Sequence, residues 1–357
     1  MRRARTLLLL TLLGVVAWRT ADEPLEPYPL RYPAEFGGRF RIPPDNPLTR
    51  EGVALGRRLF YEKRLSSTGT IACATCHQPE RAFTDGRARS IGVSGVPTRR
   101  NSMALVNLLW VRNLFWDGRA SSLEAQALVP LTHPDEMGLR PGQAASILRQ
   151  TAPYPALFRR VFRTDSLTDD HVAKALAQFE RTLISADSPY DRYLRGQYAL
   201  TETEARGLKL FTTASDARLG RRGGNCAHCH GGPRLEQDLF HTNGLDRQPV
   251  DSGRGALTRL PLDQGRFRVP TLRNIALTAP YMHDGRFATL EAVVDHYSDR
   301  VQPHAALPPE LVPAQRGGLG LTRQEKGDLL AFLRLLTDSA FVCNPQFADP
   351  RGAAVVR

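Results

Sequence analysis

Four of the five cysteines fall into two copies of one pattern, Cys73-Ala74-Thr75-Cys76-His77 and Cys226-Ala227-His228-Cys229-His230, and no other feature constrains the chain as much. Two thiols three positions apart can each bond one vinyl group of a single haem, and the histidine that follows is placed to bind the iron. The chain is therefore expected to carry two covalently attached haems of c type. Cys73 and Cys76 hold one, with His77 on its iron; Cys226 and Cys229 hold the other, with His230 on its iron. A zinc ribbon sets its cysteine pairs roughly 15–20 residues apart, whereas these pairs lie about 150 apart. Zinc, a disulfide framework or a thiol redox pair also leaves the histidine after each pair unexplained. Cys343 has no visible partner and reads as a buried or tail thiol.

With 357 residues, 41% of them hydrophobic, the chain can fill two cores of about 100–150 residues each. Arg2, Arg3 and Arg5 precede an apolar run from Leu7 to Trp18, shorter than the ~20 residues a bilayer-spanning helix needs. Residues 1–21 read as an export signal; an uncleaved anchor is the competing reading, because Arg19 stands where a small residue is preferred before cleavage. The expected location is the periplasm, with no membrane span in the mature chain. Removing 1–21 takes away four arginines and no acids, so the formal charge falls from +12 to +8. That excess is arginine scattered along the chain, which argues against a nucleic-acid arm and leaves weak steering toward acidic partners or haem carboxylates.

Residues 22–46 are rich in proline and charge and read as a surface arm. Thr49 can cap a helix carrying Val53, Leu55, Leu59 and Phe60 that ends before the first haem motif. The same order recurs at Thr201-x-x-Glu204, a capping box opening a helix with Leu208, Leu210 and Phe211 ahead of the second motif. This weak internal duplication predicts two halves, at 47–188 and 189–345, with a tail at 346–357. Helical spacing also runs from Thr168 to Ser185, from Thr289 to Tyr297, and from Thr322-x-x-Glu325 to Leu336. No long alternating strand pattern occurs. The expected fold is mainly α, with two cytochrome c-like domains and long haem-wrapping loops.

Beyond the motifs, long stretches of the chain resemble the bacterial di-haem cytochrome c peroxidases, including their MauG-type and MbnH-type members. The resemblance is carried by "NPLTREGVALGRRLFYEKRLSSTGTIACATCHQPERAFTDG", "RRNSMALVNLLWVRNLFWDGRASSLEAQALVP", "HPDEMG", "GRFRVPTLRNIALTAPYMHDGRFATLEAVVDHY" and "LTRQEKGDLLAFLRLLTD". It implies that Glu136 is the distal carboxylate that moves a proton between the oxygens of hydrogen peroxide, and that Gln126 is a neighbouring amide with Pro130 close by. Trp116 then corresponds to the tryptophan relaying electrons between the haems. Asn101, Thr278 and Pro280 correspond to an interhaem calcium site of amide and carbonyl oxygens.

Two departures from the ordinary peroxidases stand out. Their resting peroxidatic haem is blocked by a histidine from the loop before "RNS", whereas Ser90–Arg100 contains none, so the site is expected to be open in the oxidised protein. Their second haem carries a methionine as far ligand, whereas the aligned position is Tyr297, as in the MauG type. Met103, Met137, Met282 and His296 are the other candidates for that position. The leading expectation is a periplasmic enzyme that uses hydrogen peroxide to oxidise a partner protein. The alternatives are an ordinary peroxidase fed by small cytochromes or cupredoxins, and a non-catalytic di-haem electron carrier.

Overall fold

The computed structural model describes residues 23–216, 219–311 and 319–352, so the segment read as an export signal lies outside the described residues. Twelve α-helices occur among the described residues. They are α1 Arg50–Phe60, α2 Cys73–Cys76, α3 Leu123–Thr132, α4 Gln143–Arg149, α5 Tyr154–Phe162, α6 Asp169–Glu180, α7 Pro189–Leu194, α8 Glu202–Thr212, α9 Gly255–Thr258, α10 Leu290–Asp295, α11 Arg323–Arg334 and α12 Ser339–Val342. The only sheet among them pairs Phe240–His241 antiparallel with Phe267–Arg268. The fold is mainly α, as the pattern predicts.

The caps read from the sequence are made. Thr49, Thr168, Thr201 and Thr322 each accept a backbone N–H of the first turn, at the starts of α1, α6, α8 and α11, satisfying donors that no helical carbonyl can reach. Two helices end earlier than their spacing suggests. The run from Thr168 leaves the helix after Glu180, because Asn107 captures the chain beyond it: its N–H donates to Leu183 O, and its side chain pairs with both Ser185 N and O. The run from Thr289 changes at Asp295 into a π-helical turn, His296–Arg300.

Apolar residues gather in two main clusters, one built on α1, α3 and α6, the other on α8, α10 and α11. Each is closed by the same device. A Cβ on Gly56 of α1 would lie 1.9 Å from Ala175 O and 2.9 Å from Phe179 Cβ; one on Gly207 of α8 would lie 2.0 Å from Asp328 O and 2.8 Å from Phe332 Cβ. In both halves the helix preceding the cysteine motif thus presses its backbone against the long helix that closes that half. Residues 23–46 do more than coat the surface. Phe36 is 2% exposed and meets Trp110 edge-on with a ring separation of 5.4 Å, and Asn46 is 1% exposed and accepts from Gln178 Nε2.

The clusters are joined by a buried polar hub. Asp338 accepts from Ser185 Oγ (3.0 Å), Ala186 N (2.9 Å), Asp187 N (3.0 Å) and Phe341 N (2.9 Å), while Asn274 accepts from Asp338 N (2.8 Å). Just beyond the hub, Phe341 and Phe347 cross back and pack in the first cluster against Phe83.

Candidate active site

Each cysteine motif opens onto a cavity. The first, about 470 Å³, is bordered by Cys73, Cys76 and His77 and walled by Phe60, Leu105, Leu108 and Leu176. The second is narrower, about 200 Å³, and borders Cys226, Cys229 and His230 among Phe211, Leu290, Val294 and Leu333. All four thiols are free and partly buried. Both histidines are oriented by a backbone carbonyl: His77 Nδ1 donates to Phe83 O at 2.7 Å and His230 Nδ1 to Pro270 O at 3.0 Å. This fixes the tautomer and leaves Nε2 free to bind a metal. Phe83 O is presented by two consecutive left-handed residues, Ala82 (φ 50°) and Phe83 (φ 63°), both fully buried. Burial pushes the His230 imidazole down to about 4, which keeps it neutral as a ligand must be. The donor chemistry, the apolar walls and the oriented rings fit one haem per motif.

The first cavity also receives Glu136, Gln126, Pro130 and Met137. Gln126 and Pro130 lie on α3, and Glu136 sits in the turn that follows. Burial raises the Glu136 carboxyl above its ordinary range, against the pull of His133 and Arg119. His133 Nδ1 approaches Glu136 Oε1 to 3.9 Å. The Ser90–Arg100 segment forms the adjoining wall. Val93 N donates to Glu136 O at 2.9 Å, and a Cβ on Gly92 would lie 2.2 Å from Asp135 O, so only glycine permits this approach. Ser90, Thr98, Arg99 and Arg100 line the cavity from the same segment.

Of the candidates for the far ligand at the second motif, Tyr297 and Met282 line the second cavity, whereas Met103 and Met137 border the first. His296 points its Nε2 at Asn243 O, 2.9 Å away. One amide lies between the remaining two: Asn243 Nδ2 is 3.2 Å from Met282 Sδ and donates to Tyr297 OH at 3.4 Å. Burial pushes the Tyr297 phenol up to about 12, against the hydrogen bond from Asn243. The π-helical turn sets Tyr297 at this wall.

A third, small cavity of about 70 Å³ lies alongside the others and collects Asn101, Thr278 and Pro280. Asn101 Nδ2 donates to Arg87 O at 2.8 Å and to Ala88 O at 3.3 Å, which fixes the amide at the cavity edge. Among the described residues no cluster of three His, Cys, Asp or Glu side chains forms a metal site, so a cation here would rely on neutral oxygens. Trp116 borders all three cavities, and its Nε1 donates to Asn101 O at 2.9 Å.

Sequence reasoning passed over two buried charged groups. Glu180 lines the first cavity at 5% exposure with Oε2 unpartnered, and burial pushes its carboxyl up to about 8. The signal was present: Glu180 stands four residues after Leu176, on the same helical face. Arg268, 5% exposed, borders all three cavities and pairs with Glu236 at 2.7 Å. No pattern around "GRFRVP" distinguishes it from a surface arginine. Cys343 is free and exposed.

Residues 50–199 match the family described as di-haem cytochrome c peroxidase. The methylamine utilization protein MauG of Methylorubrum extorquens is 40% identical over 324 residues, 88% of each chain. The cytochrome c551 peroxidase of Nitrosomonas europaea is 34% identical over 287 residues, 79% of this chain and 78% of that one. Among solved structures, a MauG-like protein associated with microbial copper homeostasis superposes with a TM-score of 0.80 at 38% identity, covering 92% of this chain and 99% of the other.

Proposed function

The chain belongs to the di-haem cytochrome c peroxidase family and is an oxidoreductase, and from that premise we propose that it is a MauG-type enzyme of the periplasm that uses hydrogen peroxide to oxidise a partner protein. Family membership implies two c-type haems, which fit the two motif cavities. When bound, the haem at His77 supplies the iron that takes peroxide, and the haem at His230 supplies a second redox centre. Everything else is asked of the chain. Glu136 would take a proton from one oxygen of peroxide and return it to the other, a transfer that its raised affinity for protons suits. Gln126 offers an amide on the same wall to orient peroxide. Trp116, bordering every cavity, would be the conduit for electrons drawn from the partner, and Tyr297 together with His230 would hold the iron of the second haem. Asn101, Thr278 and Pro280, which share the small cavity with Trp116, would supply the amide and carbonyl oxygens for a calcium ion.

The observation that carries this reading is the Ser90–Arg100 wall. It lies against Glu136 and contributes no histidine to the first cavity, so it offers no imidazole to compete with peroxide for the iron that His77 would hold. The greater identity to MauG than to the cytochrome c551 peroxidase points the same way. Among the described residues no helix is long and apolar enough to cross a membrane. The ordinary peroxidase, drawing on small cytochromes or cupredoxins, is the competing reading within the family; the carrier without chemistry gives way to the family's enzymatic activity.

The test is to mix the fully oxidised, two-haem protein with stoichiometric peroxide and no reductant. We expect immediate spectral change at both haems. If the oxidised protein ignores peroxide until one haem is reduced, or turns over rapidly with a reduced small cytochrome, the ordinary peroxidase reading replaces this one.

A further inference from the structure

We propose that Arg268 binds a carboxylate of the haem in the second cavity and sets a fixed positive charge beside Trp116, with Glu236 holding the guanidinium in place. The proposal rests on the reading that each cavity holds a haem. A haem brings two carboxylates, and anions buried this far from water require a cation or several donors. The first cavity is well supplied, with Arg99, Arg100 and Arg119 on its wall. In the second, Arg268 is the only lysine or arginine among the described lining residues.

The donors of Arg268 are not all used. Nη1 donates to Glu236 Oε1 at 2.7 Å, and Nη2 has a long contact of 4.0 Å with Met103 Sδ. Nε is buried and has no partner. Arg273, the other arginine at the small central cavity, shares the unpartnered Nε but differs at its terminal nitrogens, both of which are held by Asp191, whereas Arg268 keeps Nη2 without an oxygen partner. An arginine with one edge fixed by a carboxylate and an unpaired Nε–H presents the planar fork that recognises a second carboxylate. Its backbone is fixed too, since Arg268 N donates to Trp116 O at 2.7 Å, and Trp116 and Arg268 alone among the described residues border all three cavities. The charge therefore acts where electrons must pass between the two haem sites. It disfavours loss of an electron from the haem it touches and from Trp116, so it helps set where an oxidising equivalent rests.

The experiment is a spectroelectrochemical titration of the two-haem protein and of Arg268→Gln, Arg268→Lys and Glu236→Gln. Arg268→Gln is expected to raise the oxidised-to-reduced ratio of the second haem about tenfold at the wild-type midpoint, a fall of about 59 mV for a one-electron couple. Arg268→Lys should restore most of it, and Glu236→Gln, which removes the opposing charge, should shift the midpoint upward. A purely structural ion pair would lower thermal stability in both Gln variants and leave the midpoints within about twofold, about 18 mV; that result overturns the proposal. If Arg268→Gln loses haem, a near-wild-type midpoint in Arg268→Lys together with an upward shift in Glu236→Gln still supports the proposal, and an unmoved midpoint in Glu236→Gln overturns it. Should the wild-type protein carry a single haem, the underlying two-haem reading fails instead, and haem content measured before titration separates the two cases.

Discussion

Replacing Glu136 by glutamine isolates the proton-transfer step. The side chain keeps its length, and the backbone clamp is untouched, because Val93 N still meets the carbonyl of residue 136 and its own N–H still donates to His133 O. What is lost is the proton acceptor. General acid–base help contributes about 10²–10⁴-fold, so the second-order rate with peroxide should fall by that factor, about 3–5 kcal/mol of barrier at 1.36 kcal/mol per decade. The pH profile adds a signature. Burial raises the Glu136 carboxyl, and only the ionised form can accept a proton, so the wild-type rate should climb tenfold per pH unit below that raised value and level off above it. The glutamine variant should show no such limb. Instability cannot mimic the effect: a raised acid holds its proton more tightly in the folded state, so folding stability declines as pH rises through the raised value, and the variant is freed from that loss. Rapid-mixing absorbance of the oxidised protein with excess peroxide measures the rate from acid to neutral pH. A change under about threefold, or an unchanged limb, would remove Glu136 from the chemistry.

Three further outcomes test the packing of the two halves and the buried carboxyl at the first cavity. Gly56→Ala must open the α1–α6 crossing, where its Cβ would sit 1.9 Å from Ala175 O, and should cost about 1–3 kcal/mol in denaturant titrations. Gly327→Ala in α11, whose Cβ meets nothing within 4 Å, should instead stabilise by about 0.4–1 kcal/mol. Glu180 holds its proton up to about pH 8 in the folded chain, so wild-type stability should decline as pH rises from the ordinary carboxylate range to that value. Glu180→Gln should flatten this slope, and an unaltered melting profile between pH 5 and 9 would show that the group does not titrate there.

The parts of the molecule governed by local rules were legible. Thr49, Thr168, Thr201 and Thr322 cap the helices their spacing announced, because an N-cap needs only a side-chain oxygen and the next turn of backbone. The cysteine motifs were legible for the same reason, as covalent reach and an adjoining imidazole are contained in five residues. What escaped depends on distant partners. The end of α6 is set by Asn107 from a different part of the chain, and the turn that carries Tyr297 is π-helical with no proline or glycine to mark it. Arg268 and Glu236 are 32 residues apart and become one unit only when the short strands meet.

Phe83, whose carbonyl orients His77, is covered by Phe341 and Phe347. A chain is made from its N-terminus, so the first cysteine motif emerges more than 250 residues before the rings that seal its histidine loop. The first site is therefore completed last. The left-handed residues Ala82 and Phe83 are held from within by N–H donations to Pro79 O and Gln78 O and by the ring of Phe60, and gain their outer cover only when that seal arrives. Until then the loop that orients His77 lacks the rings that bury it in the finished protein. Shortening the chain ahead of Phe341 would damage the site at the opposite end of the sequence.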